Sequence, residues 1–69
     1  MTFLVKRSFS LSQHRTSVAL EKPFWEALER LAAARNEPVS RLVSAIDTTR
    51  DPRQPLASAL RIVALEARN

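Results

Sequence analysis

The stretch Arg15-Thr16-Ser17-Val18-Ala19-Leu20-Glu21 decides how the rest of the chain is read. Val18 and Leu20 stand two apart between short or polar residues, which is the period of a half-buried strand, and Pro23 then opens a helical pattern. A lone strand is not stable, so this one takes a partner from upstream or from a second copy of the chain. Size favours the second copy. The chain has 69 residues with neither cysteine nor glycine, and a domain this short buries only about 60% of the surface its unfolded form exposes. Disulfides are excluded, and a single histidine, His14, without cysteine excludes the usual zinc sets. Oligomerisation is the remaining route to a sufficient core.

Eleven Lys and Arg against seven Asp and Glu give a formal net charge of +4. The sign is unevenly spread: residues 1 to 20 hold Lys6, Arg7 and Arg15 with no acid, whereas the balance is −1 from Glu21 to Pro38 and +2 from Val39 onward. A basic N-terminal arm has nucleic acid or an anionic membrane surface as its natural partners, set against the plain alternative of a solvated basic face. No stretch approaches the roughly 18 apolar residues of a transmembrane helix. Residues 1 to 20 are acid-free and rich in Arg and Ser, as an organelle transit peptide would be, but their strand-like alternation argues against that reading. The lack of cysteine is compatible with a reducing, cytoplasmic location.

Phe3, Val5, Phe9 and Leu11 are evenly spaced around Lys6-Arg7, so Thr2 to Leu11 reads as an extended segment, with Ser12-Gln13-His14 as a turn. The alternative is a mobile arm; residues 1–14 are thus a basic arm or extra strand ahead of a domain over 15–69. A first helix is expected from Pro23 to Arg35, with Phe24, Trp25, Leu28, Leu31 and Ala32 on one face and Asn36 as its left-handed stop. Acids early in it and Arg35 late suit the helix dipole. Val39, Leu42, Val43 and Ile46 form a second helical stripe ending near Asp47 to Thr49. Thr48 to Gln54 reads as a loop, and a third helix runs from Pro55 to about Ala67. Its stripe of Leu56, Ala59, Leu60 and Val63 is matched by Ile62 and Leu65 on roughly the opposite side, so this helix wants two neighbours, and the second is most simply another subunit.

Lys6-Arg7-Ser8-Phe9, His14-Arg15-Thr16-Ser17, Leu20-Glu21, Phe24-Trp25, Leu28, Ala32, Leu42, Ile46-Asp47 and Ser58-Ala59-Leu60-Arg61, in that order and spacing, resemble the ribbon-helix-helix domain family of the alphaproteobacterial type, within the Arc- and MetJ-like superfamily. The likeness runs from about Leu4 to Glu66; where the family often has glycine before the His-Arg-Thr-Ser run, this chain has Gln13. The resemblance implies a mainly α fold with a short β-ribbon: an intertwined homodimer whose two-stranded antiparallel sheet takes one strand from each chain, plus a third C-terminal helix. Val18, Leu20, Trp25, Leu28, Leu42 and Ile46 would form the dimer core.

It also implies a ribbon placed in the major groove of double-stranded DNA, where each base pair shows a distinct hydrogen-bonding edge. Arg15, Ser17 and Ala19 would then face the bases: Arg15 forking onto guanine, Ser17 bonding to several bases, Ala19 touching a thymine methyl. Val39, Ser40 and Arg41 at the start of the second helix would hold a phosphate, joined by Lys6, Arg7 and His14 along the duplex backbone. The function so implied is sequence-specific DNA binding by a transcription regulator. The rival reading is a homodimeric interaction module, antitoxin- or adaptor-like, bound to a protein partner.

Trp25 and Phe24 continue the first helix's apolar stripe and belong to the core rather than to base stacking. A buried Trp25 needs a partner for its indole N–H. Glu26, Glu29 and Asp47 have no nucleophile to orient, and a chain this small has little room for a pocket, so no catalytic residue, cofactor or metal is expected.

Overall fold

The strand partner comes from upstream in the same chain. In the computed structural model, which describes residues 3–12 and 14–67, β1 (Leu4–Leu11) pairs antiparallel with β2 (His14–Glu21) in a two-stranded sheet. Three helices follow: α1 (Lys22–Ala34), α2 (Val39–Thr49) and α3 (Leu56–Glu66). The expectation that β2 would borrow its neighbour from a second copy is corrected here, and of the two readings of the N-terminal segment the strand is the one observed. The N-terminal segment adds to the core of its own chain, because Phe9 and Leu11 of β1 are buried beside Val18 and Leu20 of β2.

The register runs from Leu4 opposite Glu21 to Leu11 opposite His14. His14 therefore opens β2 instead of lying in the turn, and Ser12 carries the reversal with φ 46°. A left-handed residue other than glycine costs about 1–2 kcal/mol, a cost the chain carries because it has no glycine to place there. Thr2 and Gln13, which the sequence reading put in the extended segment and the turn, lie outside the described residues.

Glu21 ends β2 and is the N-cap of α1, with Pro23 in the helix's first turn. Proline is tolerated there because its missing N–H would have had no intrahelical acceptor. Counted from Lys22, Glu26 falls beyond the first turn, so the expected early acids do not reach the dipole's positive end. The helix stops as the sequence suggested. Asn36 sits at φ 56°, its N–H bonds to Ala33 O at 3.0 Å, and that of Glu37 reaches back to Ala32 O at 3.0 Å. This crossed pair satisfies carbonyls that the helix end would otherwise leave open.

Trp25, Leu28 and Ala32 of α1, Leu42 and Val43 of α2, and Leu60 and Ala64 of α3 join the sheet's inner face in one core. Of the six residues assigned to a dimer core, Val18, Leu20, Trp25, Leu28 and Leu42 are buried within this single chain, and Ile46 is half-buried against them. The Trp25 indole N–H finds its partner in the Val5 carbonyl, at 2.8 Å. Phe24 is half-buried against the same core. On α3, Leu60 is fully buried while Ile62 and Leu65 remain 45% and 52% exposed, as expected for a helix apolar on two sides.

Candidate nucleic-acid interface

Because side chains alternate across a sheet, the register sorts the hairpin into two faces. Val5, Arg7, Phe9 and Leu11 share one side with Leu20, Val18, Thr16 and His14, and on it Phe9, Leu11, Val18 and Leu20 are buried toward the helices. The other side carries Lys6 opposite Ala19, Ser8 opposite Ser17 and Ser10 opposite Arg15. The Ser8 and Ser17 hydroxyls lie 3.0 Å apart, which fixes the middle of this face. Arg15, Ser17 and Ala19 thus stand on the outward surface where the sequence reading placed them, with Arg15 and Ser17 exposed and Ala19 half-exposed.

Ser8 and Ser10 were missed as candidate site residues. Their signal was that Lys6, Ser8 and Ser10 alternate with the apolar Val5, Phe9 and Leu11, legible once the segment is known to fold back on β2. Lys6 and Arg7, adjacent in sequence, part company. Arg7 points to the helix side, donates to Glu29 Oε2 at 3.1 Å and lies 4.9 Å from the Trp25 ring centroid. It ties β1 to α1 and stands apart from the outward face on which Lys6 lies. His14 is exposed at the hairpin's end, its Nδ1 donating to the Ser12 carbonyl at 3.3 Å.

The start of α2 lies beside this face. Ser10 shares a shallow cleft of ≈ 530 Å³ with Pro38, Ser40, Arg41, Ser44 and Ala45. Pro38 caps α2 without a side-chain bond, and the Arg41 N–H is taken by the Pro38 carbonyl at 3.0 Å. The Val39 and Ser40 N–H groups belong to a helix start and have no acceptor within the helix, so they suit an outside anion, with the exposed Arg41 side chain next to them.

The charge distribution follows the same geometry. Ion pairs engage Arg7, Arg35, Arg50, Arg53 and Arg61. Among the described residues the cations outside such pairs are Lys6, Arg15, Lys22, Arg30 and Arg41. Lys6 and Arg15 lie on the outward face and Arg41 beside it. The hairpin's single acid, Glu21, is bound by Arg61 Nε at 3.1 Å. Its carboxyl is held below the ordinary glutamate range, first by a hydrogen bond from its own backbone N–H and then, against the pull of desolvation, by the bond and charge of Arg61.

Among the described residues no cluster of three His, Cys, Asp or Glu is placed to hold a metal ion, and no helix is long and apolar enough to cross a membrane. What remains is an acid-poor ribbon face flanked by a helix start. The sequence model for the ribbon-helix-helix domain matches residues 4–67, and the chain belongs to that family. Its members are generally DNA-binding transcription regulators, built on a fold that typically dimerises and is not an enzymatic one. Comparison with curated proteins and with solved structures returns no match.

Proposed function

We propose that this protein regulates transcription by binding DNA in a sequence-specific way, laying its hairpin in the major groove with Ser8, Ser10, Arg15, Ser17 and Ala19 toward the base edges and Lys6 toward the phosphates. The observation that carries the reading is the outward face itself: a two-stranded ribbon with two cations outside any ion pair among the described residues and its only acid neutralised. A two-stranded ribbon is admitted by the major groove and not by the narrower minor one. Arg15 reads guanine and Ser17 and Ser10 add adaptable hydrogen bonds, while Val39, Ser40 and Arg41 hold the neighbouring phosphate and fix the register. Lys6 and His14 follow the backbone; Arg7, committed to Glu29 and Trp25, holds the ribbon on its helices. The protein acts as a homodimer, each chain presenting one ribbon.

Selection of duplexes from a random pool, followed by fluorescence anisotropy over a salt series, tests this directly. Arg15→Ala should cost about 1–3 kcal/mol at the selected site and relax discrimination at one position, whereas Lys6→Ala should weaken all sequences alike and reduce the salt slope by about 1. Equal losses on selected and random duplexes for Arg15→Ala would remove the base-reading role.

The exposed Ile62 and Leu65 favour a second reading, in which the same domain docks a protein partner through α3. Partners captured from a lysate and still retained after nuclease digestion would support it; a set that vanishes on digestion would favour DNA.

A further inference from the structure

We propose that Arg61, on α3, masks the one acidic side chain of the hairpin, so that DNA binding depends on the third helix through the Arg61–Glu21 ion pair. This rests on the ribbon reading above and extends it to a helix with no residue on the reading face. Between Leu4 and Glu21 every charged residue is basic except Glu21 itself. The register sets Glu21 opposite Leu4, on the side that carries Lys6 with Ala19 and Ser8 with Ser17. A bare carboxylate there would face the phosphates of any duplex lying on the ribbon, and like charges repel.

Glu21 does not spend its carboxylate on its own helix. It occupies the N-cap position yet makes no side-chain bond to the first turn of α1, and instead accepts from Arg61, 40 residues further along the chain. Arg61 is steered to it by Phe24, whose ring centroid lies 5.7 Å from the guanidinium carbon. The two side chains remain 35% and 31% exposed, so the pair sits at the boundary with water where a duplex would approach. An ion pair at that exposure adds little to stability, whereas its effect on an approaching polyanion is undiminished until salt screens it. Glu21, Phe24 and Arg61, from three separate elements, meet at this one point.

The test measures anisotropy of a labelled random-sequence duplex at low salt with the full chain, Arg61→Met, Glu21→Gln and the double variant. Trp25 fluorescence melts confirm that each is folded. Methionine keeps an apolar stem over Phe24 without the charge. Arg61→Met should weaken binding about three- to tenfold, with the loss shrinking as salt rises. Glu21→Gln alone should bind at least as tightly as the unaltered chain, and the double variant should return to within about twofold of it. An Arg61→Met loss that Glu21→Gln does not repair would mean that Arg61 grips DNA itself, and no loss in a folded Arg61→Met would mean that nothing needs masking; both overturn the proposal. If Arg61→Met fails to fold, Glu21→Gln still decides, since weaker binding than the unaltered chain refutes a mask. An unaltered chain that binds no duplex at all would remove the ribbon reading and this proposal together.

Discussion

Leu11→Ala separates a hairpin that belongs to the core from an arm that merely rests on it. Leu11 is 1% exposed and lies in the core cluster with Phe9, Val18 and Leu20. The substitution removes three carbons, worth about 0.8 kcal/mol each in lost transfer energy, and leaves a cavity that raises the expected cost to ~3 kcal/mol. Against a total stability of roughly 3–10 kcal/mol for a chain of this length, that is a large fraction. With a urea dependence of about 1 kcal/mol per molar, the unfolding midpoint should fall by about 3 M or folding should fail outright. The assay is urea denaturation followed by fluorescence, which is clean because Trp25 is the chain's only tryptophan and is buried. Leu4→Ala on the same strand is the control: at 57% exposure it should change stability by no more than about 0.5 kcal/mol. A Leu11→Ala effect as small as the control's would refute the in-chain core.

Asn36→Ala should destabilise by about 1–2 kcal/mol in the same assay, because alanine at φ 56° meets the steric penalty that asparagine softens, and Asn36→Gly should be neutral or stabilising. The depressed Glu21 carboxyl sets an acid limit. A lowered native pKa means the contribution is fully present above the unfolded value of about 4.3 and is lost as the pH falls through the native one. The stability difference between the unaltered chain and Glu21→Gln should therefore be constant near neutrality and shrink below about pH 4; a difference that grows on acidification would reverse the sign. Asp51, also lowered, chiefly by the hydrogen bond from the Arg53 side chain, is common to both proteins and cancels from the difference.

Much of the fold was legible because local patterns and tertiary demands agree. Alternation at Val18 and Leu20 marked β2, 3.6-residue stripes marked the helices, and Asn36 marked the end of α1 through its tolerance of the left-handed conformation. The strand partner was misplaced because pairing is a non-local choice: evenly spaced apolar residues fit an in-chain hairpin and a two-chain ribbon equally well. The outward placement of Arg15, Ser17 and Ala19 was implied by the family resemblance, and the register agrees with it. The engagement of Arg7 by Glu29 and the meeting of Glu21 with Arg61 could not be read from the alternation of a strand. Each depends on a contact between distant segments, 22 and 40 residues apart.

A ribbon built from two identical strands has a twofold axis through its middle, so every side chain it offers appears twice and the bases beneath it are read as a palindrome. The hairpin here joins unlike strands, one presenting Lys6, Ser8 and Ser10 and the other Arg15, Ser17 and Ala19. It has no such axis. A substitution at any of these positions alters a single point of each ribbon, and under the proposed DNA-binding role the short run of bases matched by one chain is free to be asymmetric. Whatever inverted repeat the full target contains would then arise from how whole domains are arranged along the duplex.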